Sequence, residues 1–154
     1  MSQAANIRKE LQCIVHPFNT LGHYKYVVVC ANYQGKWIIS RHKSRDTWET
    51  QGGHIENGET PLDAAKRELY EESGIVDAEL FPVCDYYGYN SKSFSHGMVF
   101  LAVVHSLGDL PESEIGEVRA FDTIPENLTY PQTSPKLYAE AQKLLVSMPG
   151  RRNI

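Results

Sequence analysis

The stretch that decides the fold runs from Gly53 to Ile75 and reads GHIENGETPLDAAKRELYEESGI. Its second half carries the clearest helix in the chain. Thr60 is an N-cap residue type, Pro61 suits the first helical position, and Asp63 lies in the first turn. Gly74 stands where a left-handed C-terminal cap belongs, so a helix is expected from Thr60 to Ser73. Leu62, Ala65 and Leu69 recur at helical spacing and are expected to face the core. Glu68, Glu71 and Glu72 stand at i, i+3 and i+4 and share one face within about one turn.

Three carboxylates packed this closely repel one another and raise one another's pKa values; a cation removes that penalty. Oxygen ligands of this kind suit Mg²⁺ or Mn²⁺, held between carboxylates and substrate phosphates. Arg67 precedes Glu71 by four residues and can pair with it. A glutamate-rich helix face taken alone is ordinarily solvated surface. The preceding loop changes that balance. Gly52-Gly53 lets backbone come close to another group, and the spacing from Gly53 through Glu59 allows loop carbonyls to join a metal shell. Gly53 to Thr60 also has the glycine spacing of a phosphate-binding P-loop. Its lysine position is Glu59, which reverses the charge that motif needs and excludes it.

Working outward, the first half of the chain reads as strands. Leu11 to His16 is a short apolar run, and Tyr24 to Ala31 is a β-branched run typical of a buried strand. Tyr33-Gln34-Gly35 reads as a turn, Lys36 to Arg41 as its hairpin partner, and Thr47 to Thr50 as a short extension. Gly52 to Gly58 is expected to be a loop. After the helix, Ala78 to Tyr89 and Phe94 to His105 are long strand-like runs, with Val99 to Val104 central and buried. Glu117 to Phe121 is a shorter strand. Ser134-Pro135 opens a final helix to about Ser147, with Leu137, Ala141, Leu144 and Leu145 inward. Strands mixed with separated helices imply an α/β fold, a mixed sheet covered by helices.

The 154 residues make a chain of one-domain size, expected to form a single domain over 1–154. Its apolar fraction of 42% and charged fraction of 22% are ordinary for a globular protein. The net charge of -4 lacks the basic surplus of proteins that grip long nucleic acid, so none is expected as partner. Cys13, Cys30 and Cys84 are odd in number and widely spaced, which argues against a disulfide framework or a zinc knuckle. Met1 to Leu11 is polar, without the apolar region of a signal peptide. No run approaches the roughly 18 apolar residues of a membrane span. Asn127-Leu128-Thr129 matches a glycosylation acceptor that has no meaning without secretion. A cytoplasmic location is expected, with no membrane partner.

The quoted stretch resembles the signature of the Nudix hydrolases, G-x5-E-x7-R-E-U-x-E-E-x-G-U, where U is apolar. Gly53, Glu59, Arg67, Glu68, Leu69, Glu71, Glu72, Gly74 and Ile75 fill it without a gap. With average usage of roughly 5–7% per residue type, seven fixed positions match by chance less than about once in ten million starts. The resemblance implies an α/β/α sandwich around a mixed sheet. It implies a Mg²⁺-dependent enzyme that cleaves a phosphoanhydride of a nucleoside diphosphate derivative, such as the (d)NTP 8-oxo-dGTP, releasing a nucleoside monophosphate and pyrophosphate. By position, Glu68 and Glu72 resemble the principal metal ligands, with Glu71 beside them and Gly53 offering its carbonyl. Glu59, Arg67 and Gly74 resemble structural supports. A proton acceptor often lies before a late strand in the family, which points to Glu114 and Glu117. Many members have Pro-Gly-Gly where this chain has Gln51-Gly52-Gly53. Gln has a free N–H and no fixed φ, so the loop is expected to enter differently.

Outside the signature, Arg41 and His42 are candidates to meet substrate phosphates, against the plainer reading of a solvated strand end. Trp37, Trp48, Tyr86, Tyr87 and Tyr89 offer stacking surfaces for a base, although aromatic residues in strands are more often core. His54 follows Gly53 and could stand near a metal; His96 and His105 read as structural. The expected partner is a small-molecule nucleotide, and a homodimer is left open. Two alternatives stand beside the enzyme: a nucleotide-binding sensor without turnover, which the intact glutamates argue against, and an isomerase-like relative acting on isoprenoid diphosphates.

Overall fold

The computed structural model describes residues 3–149. In chain order it contains α1 (Gln3–Glu10), β1 (Gln12–His16), β2 (Tyr24–Tyr33), β3 (Lys36–His42), β4 (Trp48–Glu49) and β5 (Gln51–His54). There follow α2 (Pro61–Ser73), β6 (Ala78–Tyr89), β7 (Phe94–Val104), β8 (Ile115–Phe121) and α3 (Ser134–Ser147). The strands form one sheet in the order β1-β6-β7-β2-β3-β4, with β5 also on β2 and β8 also on β3. β2 and β7 run parallel and the other pairs antiparallel, so the sheet is mixed. None of the helices is long and apolar enough to cross a membrane, among the described residues.

The two-residue alternation of β2 sorts its side chains between two helices. Val27, Val29 and Ala31 pack with Ala64, Ala65 and Leu69 of α2 and with Ile75. Cys30 packs on the other face with Ile39, Leu101 and the α3 residues Leu137, Tyr138, Ala141 and Leu145. The result is the expected α/β/α sandwich. Gln34 and Gly35, at φ 52° and 82°, turn β2 back into β3. Positive φ at both central positions matches the twist of the paired strands.

The α2 caps form as expected. Thr60 accepts the Asp63 N–H at 3.1 Å, and Gly74 adopts φ 80° with its N–H on the Tyr70 carbonyl. Leu62 differs from expectation. It lies in the first turn and is 38% exposed, while Ala64 is fully buried. Periodicity sets the stripe, but packing sets how far along the helix the sheet covers it. The polar N-terminal stretch also differs, since it contains α1, which no apolar pattern announces.

The expected loop from Gly52 begins as strand. Gly52 and Gly53 pair with Val28 and Val27 in the β5–β2 ladder. A Cβ on Gly52 would stand 2.5 Å from the Val27 carbonyl, so only glycine lets the backbones come this close. β5 and β3 share the same edge of β2, one along Tyr26–Val29 and the other along Ala31–Tyr33. Gln51 closes the seam between them. It is fully buried, and its Nε2 donates to the Ile38 carbonyl at 3.1 Å and to Ser40 Oγ at 2.8 Å. Ser40 Oγ in turn donates to the Glu72 carbonyl at 2.7 Å, which ties the last turn of α2 to the sheet.

Candidate active site

Arg67 is the hub of the signature. Its Nε and Nη2 donate to the two Glu59 oxygens at 2.6 and 2.9 Å. Nη2 also donates to the His54 carbonyl at 3.0 Å, and Nη1 to Glu68 at 2.9 Å and Glu71 at 3.2 Å. A planar fork suits this bidentate role, which a lysine could not fill. The hydrogen bonds from Arg67, helped by the Glu56 backbone, hold the Glu59 carboxyl at about 2, well below its usual range. The helix, the loop and the end of β5 are thereby fastened together through one guanidinium.

Glu68 and Glu72 converge on Gly52-Gly53. The Gly52 N–H donates to Glu72 Oε1 at 2.7 Å. A Cβ on Gly53 would lie 2.5 Å from Glu68 Oε1, so the carboxyl packs directly on that glycine. Burial pushes the Glu72 carboxyl up to about 8; the Gly52 N–H opposes the rise, and the charges of Glu68, Glu49 and Glu71 add to it. Burial also raises Glu68, against the pull of Arg67. Glu71 is more exposed, at 48% of its side chain, and turns toward Arg67. Among the described residues no three His, Cys, Asp or Glu side chains stand in ready-made ligating positions. The donor set nevertheless fits a hard divalent cation: paired carboxylates, both raised in pKa by burial and like charge, beside the Gly52-Gly53 backbone.

On the other side of Gly52 and Gly53 lies a cleft of about 410 Å³. Its walls include Tyr26, Glu49, Tyr86, Phe94, Tyr130 and Leu137. Nothing in the sequence pattern singles out Glu49, Tyr26 or Tyr130. Glu49 follows a core tryptophan in a two-residue strand, and its local pattern carries no signal; only the fold brings its charge to bear on Glu72.

Of the other sequence candidates, Tyr86 and His54 line the cleft and the rest fall elsewhere. Trp48 is 8% exposed, edge-on to Phe121 with Arg119 over its ring, and so is core rather than a free stacking surface. Trp37 is core as well. Tyr87 lies on an aromatic ridge with Tyr89, Phe94 and His96, facing a depression that adjoins the cleft at Asn90, Ser93 and Phe94. Of the tyrosine cluster, Tyr86 is the member that lines the cleft. Arg41 braces its own loop through the His42 and Arg45 carbonyls and meets Glu117 at 3.5 Å. His42 lies between Glu114 at 3.3 Å and Ser44. Glu117 is held below its usual range by Arg119, with Arg41 assisting. Neither Glu114 nor Glu117 lines the cleft. His54 lines it, its ring tilted by 51° against that of Tyr26 with centroids 4.5 Å apart. His96 bonds the Gly22 carbonyl at 2.7 Å, a structural role. His105 is exposed, 3.9 Å from Glu79.

The family model of the NUDIX domain matches residues 23–141, a span that takes in β2 to β8, α2 and the first half of α3. The chain belongs to the Nudix family. Two curated relatives, both RNA pyrophosphohydrolases, come from Psychrobacter sp. (strain PRwf-1) and Bartonella clarridgeiae. The first is 44% identical over 48 residues, 31% of this chain and 28% of the relative. The second is 41% identical over 73 residues, 41% of this chain and 42% of the relative. The matched segments therefore span less than half of either relative's own length. A pyrophosphohydrolase from Bacillus subtilis of known crystal structure superposes with a TM-score of 0.72 at 22% identity, covering 87% of this chain and 89% of that one. At that identity the likeness is one of fold, and the Nudix sandwich is what the two share.

Proposed function

We propose that this Nudix chain is a metal-dependent pyrophosphohydrolase that cleaves a phosphoanhydride at the 5′ end of a polyphosphorylated nucleotide, with 5′-polyphosphorylated RNA as its substrate class. The observation that carries the hydrolase reading is the convergence of Glu68 and Glu72 on Gly52-Gly53, at the edge of a cleft. The RNA assignment is supported by the activity named for the curated relatives. It departs from the expectation drawn from net charge, which averages over the surface and does not see a local basic patch.

In this reading Glu68 and Glu72 hold Mg²⁺ or Mn²⁺ with the Gly53 carbonyl, and Glu71 assists. The bound cation would neutralise phosphate oxygens and acidify a water. Arg67 and Glu59 hold Glu68 in place, and Gly74 lets the helix end in a left-handed cap packed on the Asp109 backbone. Tyr26, Tyr86 and Tyr130 give the nucleotide a wall of rings. Glu114 and Glu117 remain candidates to take the proton, joined by Glu49 because it lines the cleft. The free, buried thiols of Cys13, Cys30 and Cys84 accord with a reducing, cytoplasmic setting.

A second reading, a free (d)NTP such as 8-oxo-dGTP, is favoured by the size of the cleft. Its volume of about 410 Å³ is at the small end of ligand pockets and suits one nucleotide. The test is incubation with 5′-triphosphorylated oligoribonucleotide and with free nucleotides, in Mg²⁺ or Mn²⁺, with products identified by mass. Pyrophosphate and a 5′-monophosphorylated RNA are expected. Release from free nucleotides alone overturns the RNA assignment. No release from either, by folded protein, overturns the hydrolase reading in favour of a nucleotide-binding sensor.

A further inference from the structure

A second concavity, of about 520 Å³, lies beside the cleft where α1 meets the β3–β4 connection. Arg8, Lys9, Lys43 and Arg45 line it, with Asp46 as the acidic member. The whole chain carries 19 acidic residues against 15 Lys and Arg, so four cations around one hollow oppose the charge of the rest. They are not equally available. Arg45 is engaged by Glu49, at 2.9 and 3.2 Å, and Lys43 reaches Glu112 at 3.1 Å. Arg8 and Lys9 have no ion pair among the described residues.

The two hollows adjoin. Leu128 and Thr129 line the basic one, and the next residue, Tyr130, lines the cleft. Arg8 lines the basic one and Leu11, about one helical turn on, lines the cleft. Burial raises the Tyr130 phenol, Glu49 adds to that, and Arg45 and Arg8 oppose it, so the hydroxyl stands in the field of all three. A chain leaving the cleft past Tyr130 enters a positive hollow. The opposite exit, past Asn90, Ser93 and Phe94, leads onto the aromatic ridge, where Lys92 is the single lining cation among the described residues.

We infer that the hollow lined by Arg8, Lys9, Lys43 and Arg45 binds backbone phosphates of the RNA chain that follows the 5′ nucleotide. This rests on the RNA reading above and adds a second anchoring point to it. Single-stranded nucleic acid is held by positive grooves that track its backbone, and each phosphate neutralised adds about 0.7 to the slope of log affinity against log salt. Arg8 and Lys9 are the strongest contributors, since neither has to give up an internal carboxylate.

The probe is a 3′-labelled, 5′-monophosphorylated eight-nucleotide RNA, followed by fluorescence anisotropy in EDTA over a salt series. The Arg8→Ala/Lys9→Ala variant is expected to lose affinity at low salt and to show a slope shallower by about 1.4, because two phosphates are no longer neutralised. Arg8→Lys/Lys9→Arg should restore both, and Lys43→Glu, on a different element, should weaken binding in the same direction. The loss should shrink as the probe is shortened to a dinucleotide. Equal affinity and slope for wild type and the double variant overturn the inference, as does a wild type that does not bind the probe. A Lys92→Ala variant that alone weakens binding assigns the chain to the aromatic ridge instead and also overturns it. Because the binding arm needs no turnover, a failure of RNA hydrolysis is separately visible as absent pyrophosphate release.

Discussion

At the residue scale the site depends on how one carboxyl is housed. Glu72 sits near 8 because burial and neighbouring acids favour its neutral form. A folded value raised above the ordinary 4.5 gives stability that is fully present below 4.5 and is lost as pH rises toward about 8. In EDTA, the melting temperature of the wild type should therefore fall over that interval relative to Glu72→Gln, whose amide does not titrate. Mg²⁺ at the upper end should recover more of the loss in the wild type than in the variant. The same substitution should lower Mg²⁺-dependent turnover on the order of 10²–10³-fold, as removal of one charge-stabilising group does elsewhere. Unchanged turnover would refute the ligand assignment. Gly53 offers a second residue-scale test. A methyl there meets the end of the Glu68 side chain rather than backbone, so the fold can yield while the carboxyl moves. Gly53→Ala should keep a melting temperature close to wild type and lose most activity. A variant with full kcat would show that the position of Glu68 does not matter.

At the element scale the unusual feature is the seam between β5 and β3. An ordinary ladder cannot close it, because both strands compete for one edge of β2. The Gln51 amide supplies the missing donors, to a strand carbonyl and to the Ser40 hydroxyl that grips the last turn of α2. In the sequence Gln51 shows only as a departure from Pro-Gly-Gly. What it does is invisible there, since its partners lie 11 and 13 residues away on another strand. Gln51→Ala leaves the Ile38 carbonyl buried without that donor, at a cost of about 1–3 kcal/mol. Denaturant unfolding should show that loss, accompanied by a fall in kcat as the α2 terminus loosens. A stability loss with unchanged kcat would confine Gln51 to the fold.

At the scale of the whole molecule, one buried carboxylate ties a long connection to the sheet. Asp85 is fully buried in β6 and accepts the N–H groups of Asn19, Thr20 and Leu21 and the Tyr24 hydroxyl. Burial alone would raise it; those four donors outweigh burial and hold it below the ordinary 3.8. A depressed value gives stability that is present above 3.8 and lost as pH falls through the folded value. Asp85→Asn should be less stable at neutral pH and should lose less than the wild type on acidification below about 3.8. Parallel acid curves for the two would remove Asp85 from this role. Local spacing and short-range capping were enough to specify α2 with both caps, the Nudix signature from Gly53 to Ile75, and most strands, and all of these are legible in the sequence. The same local pattern hides α1, whose residues carry no apolar stripe, and does not reveal that Trp48 is core. Nor does it bring the charge of Glu49 to bear on Glu72 or that of Arg8 on Tyr130. Those juxtapositions join residues far apart in the chain, and only packing of the sheet, its split edge and the two helix layers decides them.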